Sequence, residues 1–273
     1  NLDIFFMKIR GGNIMSEISP RAEVSPKAKI GENCKIYPFA YIEDDVVIGD
    51  DCIVFPFTSI LNGTRMGKGN KVFQGAVLGA LPQDFNFQGE NSLLIIGDNN
   101  IIRENVVVNR ATHEGASTVI GNKNFLMEGA HISHDTKVGN NCVFGYGTKI
   151  AGDCIIGNGA IFSSSVIENA KTRVGDYSMI QAGTTFSKDV PPYIIAGGKP
   201  VVYSGPNTTM MNMYNIDSKI QKHIANAYRL VFHGQTSIFD AVIQITEQVP
   251  DSAEIRNIVE FIKATELGII SKM

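Results

Sequence analysis

The stretch EGAHISHDTKV, residues 128–138, holds two of the chain's five histidines, three residues apart, with an aspartate directly after the second. Imidazole is the one side chain whose ordinary pKa lies near neutrality, so it suits removal of a proton from a poor nucleophile such as a hydroxyl. A histidine on an outward-facing turn is equally at home as plain surface. Which of the two this pair is depends on what the rest of the chain places beside it.

Bulk properties exclude some partners. The net charge of -3 and pI near 6.0 give no polyanion-binding signature, so nucleic acid is disfavoured. No apolar run approaches the roughly 18 residues of a spanning helix, and the opening NLDIFFMKIRGGNIM has neither the long apolar region nor the cleavage site of a signal peptide. Residues 1–14 are expected to be an unstructured or non-native extension, with Met15 as the natural start.

The elements that position the histidines are set by a six-residue repeat. Stepping by six from Val24 to Phe186, 24 of 28 positions are apolar, against 44% for the chain as a whole, which establishes the period. The next residue is often Gly, as in IGENC, IGDDC and VGNNC, and the fifth position is small or β-branched, as at Ala28, Cys34, Ala40, Cys52, Ala76, Ala130 and Thr136. Alternation along short strands turns the aliphatic and the small residue inward, and glycine or a polar residue takes the turn. One repeat cannot bury its own face, so stacking makes the core.

On these residues the chain resembles the hexapeptide-repeat proteins from Val24 to about Val190. The resemblance implies a mainly β fold, a left-handed parallel β-helix with three hexapeptides to each eighteen-residue coil. Residues 15–205 are assigned to it, interrupted by polar, Gly-containing loops at about 80–94 and 110–118 that suit a binding face or mere decoration. Cys34, Cys52, Cys142 and Cys154 all fall at the small inward position, so they read as core filler in a reducing, cytoplasmic setting. Residues 206–273 read as a helical domain, with helices from Ile216 to near Gly234, from Ser237 to Gln248, and from a capping-box-like start at Asp251 and Glu254.

In this register Ile132 points inward, His131 and Ser133 outward, and His134 and Asp135 take the following turn. The residues one coil above are Gly152 and Asp153. A base then sits beside an open glycine backbone, whose N–H can meet a developing oxyanion.

The segments GAHISHDTKVGNNC, LGALPQDFNFQGE, IRENVVVNRAT and SKDVPPYIIAGGKP, with the helical tail, resemble the bacterial UDP-N-acetylglucosamine O-acyltransferases that begin lipid A synthesis. The resemblance implies transfer of a 3-hydroxyacyl chain from acyl carrier protein to the sugar 3-hydroxyl. No cofactor is implied beyond the donor's own phosphopantetheine. It also implies a homotrimer with the site in the cleft between subunits. By it His134 is the general base, Asp135 orients it, the Gly152 amide stabilises the oxyanion, and His131, Gln83, Asp84, Arg110 and Asn207 contact substrate. Ala182 is placed at the acyl-length selector.

Several family contacts are altered. Asn169-Ala170 replaces His-Gln, Asn86 a lysine, Asn109 a histidine of some members, and Met213-Tyr214 an arginine cluster that grips phosphate. Lys171 and Arg173 are candidates to compensate. Glu168 falls on an inward position, and a local bulge is expected to turn it outward and let Ile167 fill the core. Three alternatives stay open: a related N-acyltransferase on another nucleotide sugar, a zinc enzyme of the same fold, and a non-catalytic scaffold.

Overall fold

A computed structural model describes residues 7–9, 16–234 and 236–271. Its strands are mostly two residues long, with the second side chain buried and the first turned out, as in Tyr41–Ile42, Lys137–Val138 and Lys149–Ile150. They form three sheets, of 12, 9 and 8 strands among the described residues; within the coils each strand pairs in parallel with the equivalent strands of the neighbouring coils, and the twelve-stranded sheet ends in an antiparallel pair on either side. The result is the left-handed parallel β-helix. The aliphatic row runs up its interior, and all four cysteines are buried free thiols.

Close stacking explains the glycine after the aliphatic position. A Cβ on Gly49 would lie 2.7 Å from the carbonyl carbon of Gly67 in the next coil. Side-chain ladders reinforce the turns. Asn122 accepts from the Asp98 amide (2.7 Å), Asn140 from Asn122 (2.8 Å), Asn158 from Asn140 (2.9 Å) and Asp176 from Asn158 (2.6 Å), each satisfying an N–H that the coil alone leaves unpaired.

Two expectations need correction. Met7–Ile9 is not unstructured: it pairs antiparallel with Ser16–Ile18 at the first coil, because Ser16–Ile18 has a free edge that a strand can satisfy. Residues 1–6 and 10–14 lie outside the described ones, as does Met15. The second concerns Glu168, which does not bulge outward. Ile167–Glu168 keeps its register between Lys149–Ile150 and Thr185–Phe186, leaving Glu168 fully buried and Ile167 44% exposed. Thr172 makes this tolerable by donating to Glu168 Oε1 (2.9 Å), while Oε2 has no partner. Burial pushes the carboxyl well above its ordinary value and so favours the neutral form, which can stay inside where a carboxylate would have to be expelled.

The coil is followed by α1 (Thr208–Met213), α2 (Ser218–His233), α3 (Ile238–Gln248) and α4 (Ala253–Lys263). Helix α1 has no counterpart in the sequence pattern. Helix α4 is capped by Ser252, which accepts from the Ile255 amide, and not by Asp251, which pairs with Arg256. The helices pack through Ile224, Tyr228, Ile245, Ile258 and Ile262, and Tyr228 donates its hydroxyl to the Pro192 carbonyl (2.6 Å).

Candidate functional site

The site is built on one corner of the coil. His131–Ile132 is a strand of the nine-stranded sheet, with Ile132 in the core and His131 on the outer face. The chain then turns through His134 and Asp135, and Asp135 takes a left-handed φ of 61°, a conformation that aspartate tolerates better than most residues. Its amide donates to Thr118 Oγ1 (2.8 Å).

His134 Nδ1 lies 3.0 Å from Asp135 Oδ2. The same oxygen accepts from Thr112, through its amide at 3.1 Å and its hydroxyl at 2.7 Å. Burial opposes the Asp135 charge, but the bonds from Thr112 and His134 outweigh it and hold the carboxyl below its ordinary value. An ionised Asp135 fixes the proton on Nδ1 and leaves the Nε2 lone pair free to accept another. Nε2 faces Asp84 Oδ2 at 3.8 Å, too far for a direct hydrogen bond, so both groups border one gap. Asp84 is itself oriented by the Asn86 amide, which donates to its other carboxylate oxygen (2.7 Å).

Gly152 is one coil along. It is buried, not open as expected, because the imidazole lies over it: a Cβ there would stand 2.7 Å from His134 Nε2 and closer still to Cε1. Its amide finds no acceptor among the described residues. Asp153 donates its amide to the His134 carbonyl (3.1 Å), which fixes the spacing of the two turns. His131 is held below the ordinary imidazole value, first by burial and then by the charges of Lys149 and His134, and is neutral at pH 7.

The other candidates divide. Arg110 lies over the Phe87 ring, 5.6 Å from its centroid, with Nη1 3.4 Å from the Asn62 carbonyl and a buried Nε lacking a partner. Gln83 is exposed on the first inserted loop. Lys171 is exposed and lines a groove of about 380 Å³ with Asp153, Ile155 and Leu267. Two candidate grips are committed elsewhere. Arg173 Nε pairs with Asp189 (2.9 Å), its Nη2 donates to the Phe261 carbonyl (2.7 Å), and its guanidinium covers the Phe261 ring, so it fastens the helices to the coil. Asn207 is buried, donating to the Tyr177 carbonyl (2.8 Å) and capping α1 through Met210, so its side chain is spent on structure. Where the resemblance places arginines, Tyr214 packs on Tyr177 at 4.5 Å and Met213 is exposed.

Ala182 is exposed on the turn after Met179–Ile180, a strand of the twelve-stranded sheet. That is a different corner of the triangle from the one that carries His134. Sequence reasoning missed Thr112 and Thr118 altogether. The signal available was that both stand in the second insertion, a break in the repeat that needs a reason.

Comparison with known proteins decides the family. The model of domain 2 of UDP-N-acetylglucosamine O-acyltransferases matches residues 189–270, and the bacterial hexapeptide-repeat model matches 27–62 and 117–152. An acyl-[acyl-carrier-protein]–UDP-N-acetylglucosamine O-acyltransferase from Halorhodospira halophila is 35% identical over 257 residues, covering 94% of this chain and all of the relative. The chain belongs to the UDP-N-acetylglucosamine O-acyltransferase family. A second member, from Sulfurovum, is 38% identical over 256 residues, 93% of this chain and 98% of that one. Among solved structures, the UDP-N-acetylglucosamine acyltransferase of Bacteroides fragilis superposes with a TM-score of 0.91 at 49% identity, covering 93% of this chain and 99% of that one. The Acinetobacter baumannii structure gives 0.90 at 30%, covering 93% and 99%.

Proposed function

We infer that this chain is an acyltransferase that moves an acyl group from acyl carrier protein to UDP-N-acetylglucosamine, the first step of lipid A synthesis. The observation that carries the chemistry is the His134 ring: tied to Asp135 through Nδ1, stacked on Gly152, and presenting Nε2 to a gap shared with Asp84.

The step follows from that geometry. The sugar 3-hydroxyl sits between Nε2 and Asp84, and as its oxygen attacks the thioester carbonyl its proton passes to Nε2. The imidazolium is stabilised by the ionised Asp135. Negative charge collects on the carbonyl oxygen, where an N–H without an acceptor, such as that of Gly152, can receive it; one such donor contributes about 3 kcal/mol. The C–S bond then breaks, and the imidazolium returns the proton to the departing thiolate of the donor's phosphopantetheine. No group of the protein becomes acylated, and no cofactor of its own is called for. A 3-hydroxyacyl chain is the donor this reading names. His131 stays neutral, so it can accept from a substrate hydroxyl without opposing the charge that forms on His134. Gln83, Arg110 and Lys171 remain the side chains available to the nucleotide, with Arg173 and Asn207 withdrawn.

The reading includes a homotrimer. Ala182 and His134 lie on different corners of the β-helix and on different coils, so a selector at Ala182 acts on a site completed by a neighbouring copy. Phe39 and Phe57, stacked at 5.2 Å and 52% and 63% exposed, offer an apolar corner for that neighbour. No helix among the described residues is long and apolar enough to cross a membrane, and four buried free thiols agree with a cytoplasmic location. The test is to incubate the protein with UDP-N-acetylglucosamine and 3-hydroxyacyl carrier proteins of several lengths and follow the product by mass. Acylated nucleotide sugar is expected; faster turnover of a free-amine nucleotide sugar would select N-acylation instead.

A further inference from the structure

We propose that Thr112, on the second inserted loop, is a positioning residue for the transfer: it fixes the Asp135 carboxylate, which in turn fixes His134. The inference rests on the reading of His134 as the base. Three donors converge on Asp135 Oδ2, namely the Thr112 amide (3.1 Å), the Thr112 hydroxyl (2.7 Å) and His134 Nδ1 (3.0 Å). Thr118, at the other end of the insertion, accepts from the Asp135 amide (2.8 Å). Both threonines are buried, so neither bond is shared with bulk water.

The coil alone does not supply this. Asp153 occupies the equivalent turn one coil on, with nearly the same φ (62° against 61°), yet its carboxylate is exposed and bonded to nothing among the described residues. What separates an ordinary turn aspartate from Asp135 is the loop that closes over it. That loop is braced in turn by the end of the first insertion. Asn91 donates to the Glu114 carboxylate through its amide (2.8 Å), Gly115 donates to the Asn91 carbonyl (2.9 Å), and the Ser92 hydroxyl donates to the Ala111 carbonyl. The two insertions therefore form one hydrogen-bonded unit. One delivers Asp84 to the Nε2 side of the ring, and the other delivers Thr112 to the Nδ1 side.

Thr112→Val keeps the shape and the backbone N–H and removes the hydroxyl. With Thr112→Ser and His134→Ala alongside, kcat and KM for both substrates and the melting temperature are measured on the full protein. The expected result is a fall of roughly ten- to hundred-fold in kcat for Thr112→Val, the size of one lost hydrogen bond to a charged group, with both KM values within a few-fold of wild type. Thr112→Ser restores kcat to within a few-fold. Wild-type kcat in Thr112→Val beside an inactive His134→Ala overturns the proposal and leaves the base in place. Equal losses in the valine and serine variants, accompanied by a lower melting temperature, overturn it in favour of a purely structural threonine. Full turnover by His134→Ala removes the base itself, and the proposal with it.

Discussion

Glu168→Gln should make the protein more stable, and increasingly so as pH rises. The native carboxyl is fully buried, with one oxygen bonded to Thr172 and the other to nothing. Burial raises its pKa well above the ordinary value, the Thr172 bond only partly opposing the rise. The unfolded chain ionises near pH 4.3, whereas the folded one holds its proton far above that. Folding therefore takes up a proton across the window between the two. The stabilising contribution of the group is complete below about pH 4.3 and is lost as pH climbs toward the folded pKa. Within that window a single proton changes stability by up to about 1.4 kcal/mol per pH unit. Glutamine cannot ionise, so the difference between variant and wild type should widen as pH rises from about 4.3 toward the folded pKa, by up to about that slope. Urea midpoints at matched protein concentration measure it, since an oligomer's stability depends on concentration. A difference that does not change with pH would refute a buried, protonated Glu168. So would a glutamine variant that loses stability as pH rises faster than wild type does.

Gly152→Ala should cost roughly a hundred-fold in kcat while UDP-N-acetylglucosamine still binds, because a Cβ placed 2.7 Å from Nε2 must push the imidazole aside, and a displacement of that order is enough; a stopped assay with a binding titration checks both. Arg173→Met should lower stability by about 3–5 kcal/mol, since the buried Asp189 carboxylate loses its cationic partner and keeps only the bonds from the residue 173 amide and the Thr265 hydroxyl, and should leave KM for the nucleotide sugar unchanged. Calorimetry beside steady-state kinetics separates the two. Ala182→Met should move chain preference toward shorter acyl donors and Ala182→Gly toward longer ones, at about four-fold in kcat/KM per methylene, read from a donor series.

What the chain discloses in advance follows the range of the interactions. The sixfold row of aliphatic residues is written in single side chains, so the coil and the inward cysteines could be read directly. The stacking of Gly152 on His134 followed from the eighteen-residue coil. Where long-range partners decide, the pattern was silent. The aliphatic phase marked Glu168 as misplaced, and only Thr172 and a retained proton explain how it stays. Asn207 and Arg173 have side chains suited to phosphate, but their use as helix cap and domain fastener depends on Tyr177, Asp189 and Phe261. Thr112 is 23 residues from Asp135 in a loop whose conformation no local signal sets.

The central claim is that His134 takes the proton from the attacking sugar hydroxyl. The most direct test is the single-turnover rate of His134→Ala with UDP-N-acetylglucosamine and acyl carrier protein both saturating. The rate should fall by ~10² to 10⁴, the usual contribution of a general base, with nucleotide-sugar affinity retained. A rate within a few-fold of wild type would contradict the account.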